Sequence, residues 1–206
     1  TVQDAMADPK KKEIYSRFMD KSQVAMAGHW DKANNYVKGI EDYLPTEQYR
    51  RSAHQHKVVE DILENWIQYS QNNKFHGMFA TSSIAEAIEY YRLFKKLKPE
   101  LKITALFDPN IDNNENAKFK EDGLVEIISD YNNRYGIEFS LATHAKMKRD
   151  IADRLAHKEL YKRVEHTPEK QLELLIVVDQ MLTGFDSKWV NTLYLDKMLE
   201  YANLIQ

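Results

Sequence analysis

An apolar run that breaks into a polar loop marks the first place where this chain could do chemistry. Leu174–Val178 is apolar at every position and ends on Asp179, and the loop that follows carries Thr183, Gly184 and Asp186. Each of these types offers something a bound ligand can use. A glycine lets backbone come close, a threonine hydroxyl donates and accepts, and an aspartate accepts from a ribose or a cationic group. An ordinary strand-to-helix turn, with a glycine for its backbone angle, explains the same residues, and the types alone leave both readings open. A second constellation, Thr81-Ser82-Ser83, stands between a short apolar run and a helical pattern. Hydroxyls at such a turn, where helix N–H groups point outward, suit an anion such as a phosphate. A serine that does no more than cap the helix is the alternative.

Other constellations fail on spacing. Asp108–Glu115 is rich in Asp and Asn like a calcium loop, but Asn113 stands where the loop needs its glycine and Phe119 where it needs its closing glutamate. His54 and His56 are two apart, so on a helix they face different sides and share a metal poorly. No nucleophile–base pair, metal cluster or pair of carboxylates stands out. The expectation is no catalytic residue and no metal site in this chain.

These residues need strands that end on them and helices that pack the strands. Leu174–Val178 lacks alternation, as a strand covered on both faces of a parallel sheet does. Leu193–Leu195, the run with Phe75, Met78, Phe79 and Ala80, and Lys102–Phe107 read as further strands, and Ile137–Leu141 as a short one. Between them lie helical stripes. Val58, Val59, Ile62, Leu63, Trp66 and Ile67 mark a helix between Thr46 and about Gln71. Ser83-Ile84-Ala85-Glu86 fits a capping box ahead of Ala87, Ile88, Tyr91 and Phe94, and Pro99 stops that helix. Asn116–Tyr135 is helical, and Thr143–Lys162 is a helix with Lys146, Lys148, Arg149, Arg154, Lys158 and Lys162 around an apolar stripe. That basic stretch reads as a solvated face or as a DNA-tracking surface. Two earlier helices are expected, one from Glu13 and one over Lys32–Leu44, closed by Pro45.

Strands alternating with helices make an α/β fold with a mainly parallel sheet flanked by helices, preceded by a helical segment. Residues 1–71 are then a connector or appendage and 72–206 the sheet-bearing domain. In open parallel sheets, ligands bind beyond the carboxyl ends of the strands, where both constellations would lie.

Composition sets the outer bounds. In 206 residues, 43% are hydrophobic, enough for one large core. Six glycines and five prolines argue against long disordered linkers. A net charge of −3 excludes a uniformly basic nucleic-acid surface while leaving room for a local basic groove. There is no cysteine, no signal-peptide pattern and no apolar run of membrane-spanning length, which fits a cytoplasmic protein. The first residue is Thr1 rather than Met, as expected of a piece of a longer protein.

The segment Leu-Ile-Val-Val-Asp-Gln-Met-Leu-Thr-Gly-Phe-Asp (175–186), followed by Asn-Thr-Leu-Tyr-Leu-Asp-Lys (191–197), closely resembles motif V of the motor (restriction) subunit of type I restriction-modification enzymes, members of the superfamily 2 helicases. The likeness reaches back to about His76, and Ala80–Ser83 resembles motif IV, whose turn meets the nucleic-acid backbone. The resemblance implies the second RecA-like domain of a motor that uses ATP and Mg2+ to translocate double-stranded DNA. Its partners would be the first RecA-like domain of the same chain and the modification and specificity subunits. By the same resemblance, Thr183, Gly184 and Asp186 couple nucleotide to DNA, Thr81, Ser82 and Ser83 contact the DNA backbone, and Gln206 opens motif VI. Val178 departs from the threonine many of these helicases carry at that strand end, so a contact made by that threonine does not transfer. A phosphate loop, a magnesium box and the family's nuclease domain are absent from this sequence, and the isolated chain is expected to be inactive. A non-catalytic α/β interaction module that docks partner subunits is the alternative.

Overall fold

β5, Leu174–Val178, lies inside a four-stranded parallel sheet, as its unbroken apolar run predicts. The computed structural model describes residues 29–38, 52–108, 117–178 and 186–196, and the chain divides into two compact units between Arg51 and Ser52. In the first unit, His29–Trp30 (β1) and Tyr36–Val37 (β2) pair antiparallel. Asp31 closes the turn between them, its carboxylate accepting from the Ala33 N–H at 2.8 Å and the Asn35 N–H at 2.9 Å. This overturns the helix expected to begin at Lys32, because an aspartate that binds backbone N–H groups two and four residues on favours a turn. The helix expected from Glu13 lies outside the described residues.

The second unit begins with helix α1, Ser52–Tyr69. β3 (His76–Thr81), α2 (Ile84–Leu97), β4 (Ile103–Leu106), α3 (Ala117–Tyr135), α4 (His144–Ala156), β5 and β6 (Val190–Asp196) follow in order. The sheet order is β4-β5-β3-β6, every pairing parallel. This is an α/β, RecA-like arrangement of a parallel sheet with helices on its faces. Among the described residues, no helix is long and apolar enough to cross a membrane.

Strand alternation assigns the two faces. Gly77, Phe79 and Thr81 of β3 point to the side of α1 and α2. A Cβ on Gly77 would stand 3.1 Å from the Trp66 ring of α1, and Phe79 packs edge-on against Tyr90 of α2 at 4.8 Å. His76 points to the other face and meets His157, just past the end of α4. Parallel register places Thr192, Tyr194 and Asp196 of β6 beside Gly77, Phe79 and Thr81, on the α1–α2 face. Leu193 and Leu195 lie on the opposite face and remain partly exposed. α3 packs on α2 at Gly123, where a Cβ would sit 2.5 Å from Ile88 Cδ1, so the glycine permits the close crossing.

Two expectations change in this region. Ile137–Ser140 is irregular and leads into a 3-10 turn at Leu141–Thr143, with no strand there. Its backbone is held by Asn132 instead, whose side chain bonds both the N–H and the C=O of Phe139 at 2.8 Å. The basic helix stops at Ala156 because His157 adopts a left-handed conformation (φ 50°), which ends the α-helical hydrogen bonding. Arg154 is not part of the basic surface. It is buried, stacked 3.7 Å from the Tyr135 ring centroid, and donates to Asp150 at 2.9 Å and to the Lys170 carbonyl at 2.6 Å. The other cations, Lys146, Lys148, Arg149, Lys158 and Lys162, are exposed.

Candidate functional site

The carboxyl ends of β3 and β6 meet at one place on the α1–α2 face. Thr81 pairs with Asp196 in register, so the hydroxyl turn Thr81–Ser83 and the end of β6 share one corner of the sheet. The three hydroxyls are all engaged. Thr81 is fully buried, and its Oγ1 donates to the carbonyls of Ser83 at 3.3 Å and Val177 at 3.4 Å, which fastens β3 to β5. Ser82 Oγ donates to the Asp196 carbonyl at 3.2 Å. Ser83 Oγ accepts from the Glu86 N–H at 3.2 Å, the N-cap bond of α2.

The expected capping box is present with a shift of one residue. The Glu86 carboxylate accepts from the Ser82 N–H at 3.1 Å instead of that of Ser83. A carboxylate therefore occupies the N-terminus of α2, where the helix dipole favours negative charge. An incoming phosphate at this turn meets Glu86 as its competitor.

Asp196 is the hub of the corner. Its Oδ1 is 2.9 Å from His54 Nε2 of α1, and its Oδ2 accepts a short hydrogen bond from the Tyr90 hydroxyl of α2. Burial, reinforced by the Asp196 carboxylate, pushes the Tyr90 phenol well above its ordinary range, so the hydroxyl keeps its proton and donates. Gln55, one residue beyond His54, ties α1 to α2 through Glu89 at 2.7 Å. Sequence reasoning passed over His54, Tyr90 and Asp196 as site residues. The available signal was Asp196 closing the Leu-Tyr-Leu-Asp strand; its partners lie 142 and 106 positions away and could not be read from spacing.

The other constellation is only partly in view. Thr183 and Gly184 lie outside the described residues, as do Asp179 and Gln206. Asp186 is exposed and makes no hydrogen bond or ion pair with the described residues. Ser187, next in the chain, donates through Oγ to the Leu155 carbonyl at 2.7 Å and accepts from the Trp189 N–H at 3.1 Å, pinning the root of the loop to α4. The calcium-like loop after Asp108 also lies outside the described residues. Among those described, no group of three or more His, Cys, Asp or Glu could hold a metal ion.

Comparison with known proteins decides what the corner belongs to. Residues 73–206 match the family described as type I restriction enzyme subunit R domain 3. The chain belongs to this family. It is 36% identical over 157 residues to the type I restriction enzyme SauCOLORF180P endonuclease subunit of Staphylococcus aureus (strain COL). That alignment covers 72% of this chain and 16% of the relative. The SsaAORF53P endonuclease subunit of Staphylococcus saprophyticus is 35% identical over 158 residues, with the same shares. The chain thus spans about one sixth of the length of these R subunits. The family match begins at Asn73, three residues before β3, and runs through β6, so the whole parallel sheet lies within R-subunit domain 3.

Proposed function

We propose that this chain is the second RecA-like motor domain of a type I restriction enzyme, gripping the backbone of duplex DNA and completing an ATP cleft with the first RecA-like domain of the same polypeptide. What carries this reading is Leu182-Thr-Gly-Phe-Asp186 and the Leu193–Asp196 strand, both within the R-subunit family match. The corner at the carboxyl edge of the sheet supports it, because ligands of parallel sheets gather there.

In this reading Asp186 reaches the nucleotide or a cationic group of the facing domain, a role suited to an exposed carboxylate with no partner among the described residues. Thr183 and Gly184 supply a hydroxyl and room for close backbone approach. ATP and Mg2+ bring the phosphoryl chemistry. By the same resemblance, the Mg2+ ligands lie mostly in the rest of the parent protein. Of the hydroxyl turn, Ser82 and Ser83 hold a DNA phosphate, with Glu86 displaced from the helix N-terminus, while Thr81, buried beneath them, supports the turn and does not reach the phosphate itself. Such a grip is directed at the backbone, so it is sequence-independent and sensitive to salt. Recognition of a DNA sequence then falls to a specificity subunit and methylation to a modification subunit. Closure of the cleft on ATP and its reopening after hydrolysis alternate the grip.

The test is translocation by the full-length parent, assembled with its companion subunits, past a triplex-forming oligonucleotide on long duplex DNA. Gly184→Val abolishes displacement of the oligonucleotide while far-ultraviolet circular dichroism stays unchanged. Wild-type displacement by the variant contradicts the role given to the loop.

A further inference from the structure

Helix α1 lies ahead of residues 73–206, the part of the chain that matches the R-subunit domain, yet it belongs to the same compact unit as the sheet. Val59, Ile62 and Trp66 bury its inner stripe in the core, and Trp66 Nε1 donates to Asn73 Oδ1 at 2.7 Å. That seating carries its first turn, with His54 and Gln55, to the corner where β3 and β6 end.

The corner is rich in carboxylates for a place that takes a phosphate. Glu86 and Glu89 stand about one turn apart on α2, and Asp196 ends β6. A carboxylate beside a phosphate repels it and competes for the same donors. Each of the three is engaged. Glu86 takes the Ser82 N–H at 3.1 Å, a donor of the turn itself. The other two are met from α1. Gln55 Nε2 donates to Glu89 Oε2 at 2.7 Å, and His54 Nε2 lies 2.9 Å from Asp196 Oδ1. A carboxylate oxygen accepts, so His54 Nε2 carries a hydrogen. The Tyr90 hydroxyl fills Asp196 Oδ2. With both oxygens bonded, the Asp196 carboxylate is held on α1 and α2, while its main-chain carbonyl accepts from Ser82 Oγ at 3.2 Å. Without the His54 hydrogen, Oδ1 is an open acceptor on the very residue that Ser82 touches.

We propose that His54 is a positioning residue for the phosphate grip: its N–H keeps the Asp196 carboxylate away from the donors of Ser82 and Ser83 and offsets part of its charge. A helix ahead of the matched domain thereby makes an acidic corner acceptable to a DNA phosphate. The role rests on the reading of the Ser82–Ser83 turn as a DNA-backbone contact. It acts through Asp196, so its effect on DNA depends on the charge at that position.

The test is the affinity of the assembled full-length parent for nonspecific duplex DNA at fixed salt, read by fluorescence anisotropy. His54→Leu removes the donor, and affinity is expected to fall by about two- to fivefold. His54→Gln keeps an N–H donor and restores most of the loss. In an Asp196→Asn background the charge is gone, and His54→Leu lowers affinity no further. A residue that only supports the fold lowers it equally in both backgrounds. Should the leucine variant not fold, His54→Ala, which also lacks the donor, takes its place in both backgrounds. Wild-type affinity in the donor-less variant, or equal losses in the two backgrounds, overturns the positioning role. Failure of the turn reading shows differently, as affinity that ignores Ser82→Ala and Glu86→Gln alike, and it takes the proposal with it. A response to those two substitutions with none to His54→Leu overturns the role of His54 alone.

Discussion

Asp196, the last residue of β6, is hydrogen-bonded to His54 of α1 at 2.9 Å, across 142 positions of sequence. With Tyr90 on its second carboxylate oxygen and Ser82 on its carbonyl, this residue joins β6, α1, α2 and the hydroxyl turn. The corner proposed to grip DNA is thus built around an acceptor, and its stability depends on that acceptor.

Replacing Asp196 with alanine leaves the buried Tyr90 hydroxyl without its partner, which destabilises by about 1–3 kcal/mol. Asparagine keeps an acceptor for Tyr90, and the loss is smaller. Urea unfolding of the chain measures both. Equal stability of wild type and Asp196→Ala contradicts the hub.

Two glycines make a paired prediction. Gly123→Val on α3 drives side-chain atoms into fully buried Ile88, and overpacking of this kind costs about 1–3 kcal/mol. Gly136→Ala meets nothing within 4 Å, so its cost is the left-handed backbone (φ 64°) alone, about 1 kcal/mol. A compensating Ile88→Val substitution should recover stability for the first and not for the second. Thermal midpoints of the four proteins decide it.

Acid should weaken the fold through His76. Its folded-state pKa of about 4 lies below the ordinary 6.5, so between those values the unfolded chain binds more protons than the folded one. Stability is fully present above about pH 6.5 and falls as pH drops toward 4, by about 1.4 kcal/mol per pH unit at most from this residue. His157 is shifted in the same direction and adds to the slope. Urea midpoints measured across this window test the sign. A midpoint that rises on acidification contradicts it.

Glu86 gives a prediction about binding. Glu86→Gln keeps an acceptor for the Ser82 N–H while removing the charge that competes with phosphate. Affinity of the assembled parent for nonspecific duplex DNA at fixed salt should rise by about two- to fivefold. Fluorescence anisotropy reads it, and unchanged affinity removes the turn from the grip.

Local pattern made most of the fold legible. β5 was readable because a strand covered on both faces has no alternation, and α2 because Ser83 to Glu86 and Pro99 bracket it. Tyr36–Val37 was not, since a two-residue strand carries no period and Asp31 sets the turn through its own side chain. Arg154 looked like a surface cation because nothing in its helix signals three tyrosines converging on it from other elements. The site divides the same way. Hydroxyl-rich and glycine-bearing loops announce themselves, whereas the contacts that hold them, His54 with Asp196 and Ser187 with Leu155, arise only when distant segments meet.

The central claim is that the loop ending at Asp186 works in an ATP-driven DNA motor. Its most direct test is ATP hydrolysis by the full-length parent with its companion subunits, with and without long duplex DNA, for wild type and Asp186→Ala. DNA is expected to stimulate turnover in the wild type and not in Asp186→Ala, with unfolding midpoints unchanged. Unaltered DNA-stimulated turnover in the variant, or none in a correctly assembled wild-type complex, would contradict it.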